Sequence, residues 1–136
     1  MSAVGVLALA GCVPAAPPLP PAGTQFDGSY AGQDMLLSGV DFQCGAANLT
    51  ERIDIASGHF DYPFQVNPPR TAPLPVHVGI DGSVFGQMQY GMVDDNPFRS
   101  RMRTDWVTLR GQIIGDTLDA TVINLRCARR LVVRRG

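Results

Sequence analysis

The chain has 136 residues, 45% of them hydrophobic, and eleven arginines against twelve acidic residues give a formal charge of −1. That length predicts one domain with enough chain to bury a core. The charge argues against a globally basic nucleic-acid-binding protein and against an acidic disordered chain. No apolar run approaches the roughly 20 residues that a membrane-spanning helix needs.

An apolar segment opens the chain. Ala3 to Ala10 has the length of the hydrophobic region of a secretory signal peptide, although the basic residues that usually precede that region are missing. The string Leu9-Ala10-Gly11-Cys12 resembles the lipobox of bacterial lipoproteins. The resemblance implies that residues 1–11 are cleaved and that Cys12 carries three acyl chains, which anchor the protein stably in a membrane. Val13 in place of Asp favours, by the same resemblance, the outer membrane with the protein facing the periplasm.

A proline-rich segment follows the cysteine. Five of the residues 13–23 are proline, which disfavours helix and central strand and favours extended polyproline II. At about 3.1 Å per residue, the segment would hold a domain roughly 30 Å from the membrane. A proline-rich ligand for a partner's aromatic groove is the alternative. We predict a signal peptide at 1–11, the lipidated cysteine with its tether at 12–23, and a folded domain at 24–136.

Alternating apolar and polar residues run through the folded domain and predict β-strands. Turn-forming pairs such as Asp81-Gly82 and Gly115-Asp116 separate neighbouring runs. We expect eight strands, near residues 25–37, 47–56, 58–66, 75–80, 83–91, 104–115, 116–125 and 128–135. The pattern predicts an all-β fold, an antiparallel up-and-down meander closed into a small barrel. A two-sheet β-sandwich is the alternative.

A short internal repeat marks two of these strands. Residues 27–33 read DGSYAGQ and residues 81–87 read DGSVFGQ, and Gly111 and Gly115 repeat the spacing of four. Two glycines four residues apart lie on one face of a strand and are typical of bends in a curled sheet. No phosphate-binding loop of the form GxxxxGK[ST] accompanies them. We therefore predict a structural role for these glycines.

Cys44 and Cys127 remain once Cys12 is assigned to lipid, and an even pair in an oxidising compartment predicts one disulfide. In an eight-stranded meander, Cys44 falls in the first connection and Cys127 in the seventh. Odd-numbered connections share one end, and barrel closure places the first strand beside the last, so the two cysteines can meet without distortion. Neither CxxC nor HxxxH spacing is present, so we expect no metal and no cofactor.

The alternation of connections between the two ends of a meander also distinguishes the two ends of the barrel. The long connections, at 38–46, 67–74 and 92–103, belong to the end that carries the disulfide, and the short turns belong to the end with both termini. Binding residues commonly lie on loops above a rigid scaffold. The disulfide end, facing away from the membrane, is therefore the predicted binding surface.

Patterns that would indicate catalysis are weak. The chain has two histidines, His59 and His77, and no GxSxG nucleophile elbow. Asp94 and Asp95 are adjacent, so their side chains would point apart on a strand. We predict that the protein is not an enzyme.

Charge is distributed unevenly along the chain. Residues 1–95 hold two arginines against nine acids, a balance of −7, whereas residues 96–136 hold nine arginines against three acids, a balance of +6. Arginine suits bidentate contacts with phosphate and carboxylate. The candidate ligands for anionic envelope components are Arg99, Arg101, Arg103, Arg129 and Arg130. The alternative is that acidic and basic segments pair with each other across the junction of the first and last strands. Nucleic acid is not an expected partner, because interleaved aromatic residues are missing.

The expected function is a non-enzymatic, lipid-anchored envelope protein with a binding or scaffolding role, whose partner is the membrane and either anionic components or another envelope protein. A carrier of a small apolar ligand is one alternative, with a cavity lined by Phe85, Met88, Tyr90, Phe98 and Trp106. An inhibitor is another, since the design resembles the periplasmic proteinase-inhibitor barrels in architecture. Those barrels have a closely spaced cysteine pair, whereas Cys44 and Cys127 lie 83 positions apart, so no inhibitory residues are transferred.

Overall fold

Eight antiparallel strands form one barrel-shaped sheet in the computed structural model, which describes residues 18–93 and 102–136. A single-turn helix, α1 (Asp41–Cys44), follows the first strand. The strands are β1 (Gly28–Ser38), β2 (Asn48–Ile55), β3 (His59–Asn67), β4 (Arg70–Val78), β5 (Ser83–Val93), β6 (Met102–Ile114), β7 (Thr117–Ile123) and β8 (Ala128–Arg135). The predicted all-β meander is confirmed, and it forms a barrel rather than a sandwich. The lipobox with Cys12, and Phe98, Arg99 and Arg101, lie outside the described residues.

The first and last strands close the barrel, as the meander requires. β1 pairs with β8 from Tyr30 opposite Arg135 to Ser38 opposite Ala128. The neighbour order is β2-β1-β8-β7-β6-β5-β4-β3, so the two edges of the sheet are β2 and β3. These strands follow each other in the chain, yet their backbones meet only at an isolated bridge beside their turn. The barrel is therefore closed by backbone pairing between β1 and β8, and it has no such pairing along most of the side between β2 and β3.

The start of β4 corrects one prediction. The connection 67–74, expected to be long, is a two-residue turn at Pro68-Pro69, and β4 begins at Arg70. Pro73 and Pro75 led to the prediction of a loop here, because proline has no N–H to donate to a neighbouring strand and occurs in sheets only on edge strands or where the ladder is interrupted. β4 accommodates them because its ladder to β5 is short, with only two register pairs, beginning at His77 opposite Phe85.

Alternate residues of each strand point inward and fill the barrel. The largest fully buried side chains come from seven different strands and include Tyr30, Ile53, Tyr62, Leu74, Leu109, Leu118 and Leu131. Two of the glycines from the spaced pairs also face inward. A Cβ at Gly111 would meet the backbone of Asp119 and Ala120, and one at Gly32 would meet the backbone of Val132. Glycine at these positions lets neighbouring strands approach closely, which fits the structural role predicted for the spacing.

The chain enters the barrel at the end opposite the disulfide. The His77 ring makes a hydrogen bond through Nε2 to the Pro20 carbonyl at 2.6 Å, and the Ile80 N–H donates to the Pro21 carbonyl at 2.9 Å. The Gly23 N–H donates to the Val78 carbonyl at 3.0 Å. The last residues of the predicted tether are therefore bound to the β4–β5 side of the barrel. No helix in the described ranges is long and apolar enough to cross a membrane.

Candidate functional site

The predicted bond between Cys44 and Cys127 is present and organises one end of the barrel. Cys44 ends α1, Cys127 precedes β8, and their Cα atoms are 5.7 Å apart. The bond thus joins the β1–β2 connection, which contains α1, to the β7–β8 connection. Gly39 fits between them, because a Cβ there would meet the Cys44 Sγ and the Arg126 carbonyl. In the chain-entropy account, a loop of this length stabilises the fold by about 4 kcal/mol.

Arg129 holds the same connection from inside the barrel. It is only 4% exposed, and its Nε donates to Asp34 Oδ1 at 2.8 Å. Its Nη1 donates to the Cys44 carbonyl at 2.9 Å, and its Nη2 donates to the carbonyls of Ala46 at 2.7 Å and Asp34 at 3.0 Å. One guanidinium therefore ties β8 to β1 and to the backbone that leaves α1.

Tyr62 completes this buried network from the open side of the barrel. Its hydroxyl, on β3, donates to Asp34 Oδ2, and both side chains are almost fully buried. Burial, together with the charge and the hydrogen bond of Asp34, raises the pKa of Tyr62 above its ordinary value. The hydroxyl therefore stays protonated as a donor. The network spans β3, β1 and β8, and so it links the two sides of the β2–β3 opening.

Glu51 lies beside this network on β2, opposite Gly32 of β1. It shares its strand face with the buried Ile53 and Ile55 and is half-buried. Burial and the nearby Asp34 carboxylate raise the pKa of Glu51, and Arg129 opposes them. Ionised Glu51 is therefore a source of electrostatic repulsion at this end of the barrel.

A second polar network fixes the β7–β8 connection. Asp105 Oδ2 accepts from the Tyr90 hydroxyl at 3.0 Å and from the Leu125 N–H at 3.1 Å. Asn124 donates from Nδ2 to the Tyr90 hydroxyl oxygen at 2.7 Å, and its Oδ1 accepts from the Cys127 N–H at 2.7 Å. Burial and the hydrogen bond to Asp105 raise the pKa of Tyr90 to about 12. Side chains of β5 and β6 therefore hold the backbone of this connection in place.

Most of the side chains that these two connections expose are apolar, and Asp41 of α1 is the charged exception. With neighbouring strand residues they form a surface that we call the apolar rim, whose members are each 48% to 73% exposed: Leu37, Val40, Phe42, Trp106, Ile123 and Leu125. The strand register makes the rim continuous. Ala128 of β8 pairs with both Ser38 of β1 and Ile123 of β7, and Ile123 pairs with Thr108 of β6, two residues from Trp106. The rim therefore runs around the outside of the disulfide end from α1 to β6.

The arginines predicted to bind anions do not form one cluster. Arg129 is buried against Asp34, and Arg130 makes two hydrogen bonds to the Asp119 carboxylate, at 3.0 and 2.6 Å. Arg103 is exposed, and the other two candidates lie outside the described residues. The alternative of pairing between acidic and basic segments is realised where Arg129 of β8 meets Asp34 of β1. The basic third of the chain is thus partly neutralised by its own strands.

The residues predicted to line an apolar cavity point to different sides of the sheet. Tyr90 is buried in the core and Met88 packs against it, whereas Trp106 is 52% exposed. Phe85 lies on the outer face beneath the Arg110 guanidinium, 5.2 Å from the ring centroid. Because alternate residues of a strand face opposite ways, these four side chains line no common cavity.

No protein-family model, curated protein or solved structure matches the chain. Function is therefore inferred from the disulfide end itself. Sequence reasoning missed Asp34, Tyr62 and Glu51 there, although one signal was available. Asp34 occupies the same strand face as Tyr30, so a charged side chain falls at an inward position where it needs a buried partner.

Proposed function

We propose that this protein is a lipid-anchored component of the bacterial cell envelope, attached through Cys12, whose barrel is a non-catalytic binding or scaffolding module. The apolar rim is the surface that binds the protein partner. One observation carries this proposal: a disulfide, one buried polar network and one partly buried polar network immobilise two connections whose exposed side chains, apart from Asp41, are apolar.

The size of the rim supports a binding role. If a large apolar side chain presents on the order of 200 Å² when fully accessible, the six rim residues leave roughly 700 Å² in water. The largest apolar patch of an ordinary monomer covers about 300–600 Å², and a stable protein–protein interface buries about 800 Å² on each partner. A fixed rim also loses little conformational entropy on binding, so more of the burial free energy contributes to affinity.

The position of the tether supports a partner on the far side from the membrane. The chain docks at Pro20, at the end opposite the rim. From Cys12 to Pro20 there are eight residues, which would span about 25 Å if they adopt the polyproline II conformation expected from their composition. An anchor at Cys12 therefore holds the turn end of the barrel toward its membrane and directs the rim away from it.

Anchoring is tested by expressing the chain in a Gram-negative host with a clickable fatty acid in the medium. We expect label on the wild-type protein, recovery in the membrane fraction, and loss of both in Cys12→Ser. Cys44→Ser with Cys127→Ser is the matched control and keeps the label. A wild-type protein without label that fractionates with soluble periplasm contradicts the proposed anchor.

Binding through the rim is tested with a photo-cross-linking amino acid at position 42 in intact cells. The control carries the same amino acid at position 114, because Ile114 is 76% exposed but lies at the opposite end of the barrel. We expect a discrete cross-linked product from position 42 and a weaker or different pattern from position 114. Equal, diffuse products from both positions contradict a binding role for the rim.

A further inference from the structure

We propose that the occupant of the apolar rim is a second copy of this chain, related to the first by a two-fold axis. The inference rests on the proposed binding role of the rim and names the partner. In such an isologous contact the same patch is used twice, so one end of the patch must complement the other.

The two ends of the rim carry opposite charges that are exposed to solvent. At the helical end Asp41 is exposed beside Phe42, and at the β6 end Arg103 is exposed beyond the last residue that pairs with β7. Burial opposes the shift, but backbone hydrogen bonds from Trp106 and Leu125, and to a smaller extent the Arg103 charge, lower the pKa of Asp105. The Arg103 charge therefore lies at the Leu125 side of the rim.

A two-fold axis near Ile123, at the middle of the rim, exchanges these ends. It brings Trp106 of one copy toward Phe42 of the other and Arg103 toward Asp41, and each contact occurs twice. Large aromatic side chains are among the residues that contribute most binding energy in protein interfaces, and edge-to-face aromatic pairs add to the burial of area. The exchanged charges form two ion pairs at the border, where they select this orientation over others.

The area is sufficient for a reversible dimer. Each copy contributes roughly 700 Å² of apolar surface from the six rim side chains, close to the share per partner in a standard interface. Because the rim is held in place before contact, association does not require the connections to fold onto each other. We expect a dissociation constant in the micromolar range for the protein free in solution, and tighter association for copies anchored in one membrane.

The test is sedimentation equilibrium of the full chain carrying Cys12→Ser, so that no acyl chain drives association. We expect a monomer–dimer equilibrium that Phe42→Ser weakens tenfold or more and that Ile114→Ser leaves unchanged. In a dimer of either charge variant, Asp41→Arg or Arg103→Asp, two like-charge contacts replace the two ion pairs. We therefore expect the dissociation constant of each variant's dimer to rise at least tenfold. Asp61→Arg, exposed on β3, is the matched control for charge.

Mixing the two charge variants distinguishes a specific two-fold dimer from non-specific hydrophobic association. In a heterodimer, Arg at position 41 of one copy meets Asp at position 103 of the other, and the natural Arg103 and Asp41 form the second pair. We expect the equimolar mixture to regain the wild-type dissociation constant, and this outcome supports the proposal. A wild-type chain that remains monomeric at several hundred micromolar, a dimer indifferent to Phe42→Ser, or single variants that mixing does not restore each overturns it.

The cross-link from position 42 separates this inference from the proposed function. A product at twice the chain mass supports both. A product containing a different protein supports the binding role of the rim and overturns the second copy as its occupant.

Discussion

Replacing Arg129 by methionine tests the central contact of the disulfide end. The substitution keeps an unbranched apolar stem but removes the guanidinium that donates to Asp34 and to the carbonyls of Cys44 and Ala46. The Asp34 carboxylate, 1% exposed, is then left with Tyr62 as its hydrogen-bond donor. Removing one partner of a buried ion pair costs about 3–5 kcal/mol, a large share of the roughly 5–15 kcal/mol that stabilises a domain.

The measurement is urea unfolding followed by far-ultraviolet circular dichroism at neutral pH. Arg130→Met is the matched control, because that guanidinium pairs with Asp119 on the exposed face and its loss changes stability little. We also expect the double variant Asp34→Leu with Arg129→Met to be more stable than Arg129→Met alone, since both buried charges are then gone. A loss below about 1 kcal/mol for Arg129→Met, or equal losses in the two arginine variants, would refute the assignment of Arg129 as the residue that fixes this end.

Three further predictions concern stability. The unreduced protein is expected to contain no free thiol at positions 44 and 127, and a thiol titration that finds both cysteines free contradicts the bond. The double variant Cys44→Ser with Cys127→Ser is expected to have a free energy of unfolding about 4 kcal/mol lower than the wild type. Gly111→Ala is expected to cost about 1–3 kcal/mol because its Cβ meets Asp119 and Ala120, whereas Gly136→Ala, with nothing within 4 Å, is neutral. Folding raises the pKa of Glu51 above its ordinary value of 4.5, so the folded protein binds a proton at this carboxylate more tightly than the unfolded chain does. The free energy of unfolding therefore falls as the pH rises from below 4.5 through the raised pKa of the folded state. Glu51→Gln is therefore expected to be more stable than wild type at pH 7, with the advantage disappearing in urea titrations below pH 4.5; a less stable variant at pH 7 would show that the carboxylate is favourable there.

The pairing of the first and last strands and the position of the disulfide were predictable from the sequence, because both follow from the number of strands in an antiparallel meander. Once the strands are counted, the first and last must pair, and Cys44 and Cys127 must share an end. β4 was placed five residues late, because Pro73 and Pro75 suppress the usual strand signal without preventing a strand at an interrupted ladder. α1 was missed because four residues carry no helical periodicity.

The candidate site was only partly predictable. Its position at the disulfide end followed from topology, but its composition did not. Sequence reasoning assigned Arg129 to the surface, whereas its strand face is that of Leu131 and Val133, which are buried. Exposure of Phe42 and Leu125 could not be inferred either, because both lie in connections, where alternation gives no indication of which side chains face the solvent.

The pairing of β1 with β8 also determines when the fold can be completed. The two strands that close the barrel are separated by almost the whole folded domain, so this contact carries the largest loop-closure cost in the sheet. During synthesis β1 emerges early, and its open edge stays exposed until the last strand arrives with both Cys127 and Arg129. A chain cut short by a few C-terminal residues would therefore lose closure, and one cut before Cys127 would lose the disulfide and the buried ion pair as well. Folding of this protein is accordingly expected to be slow and to depend on an intact β8.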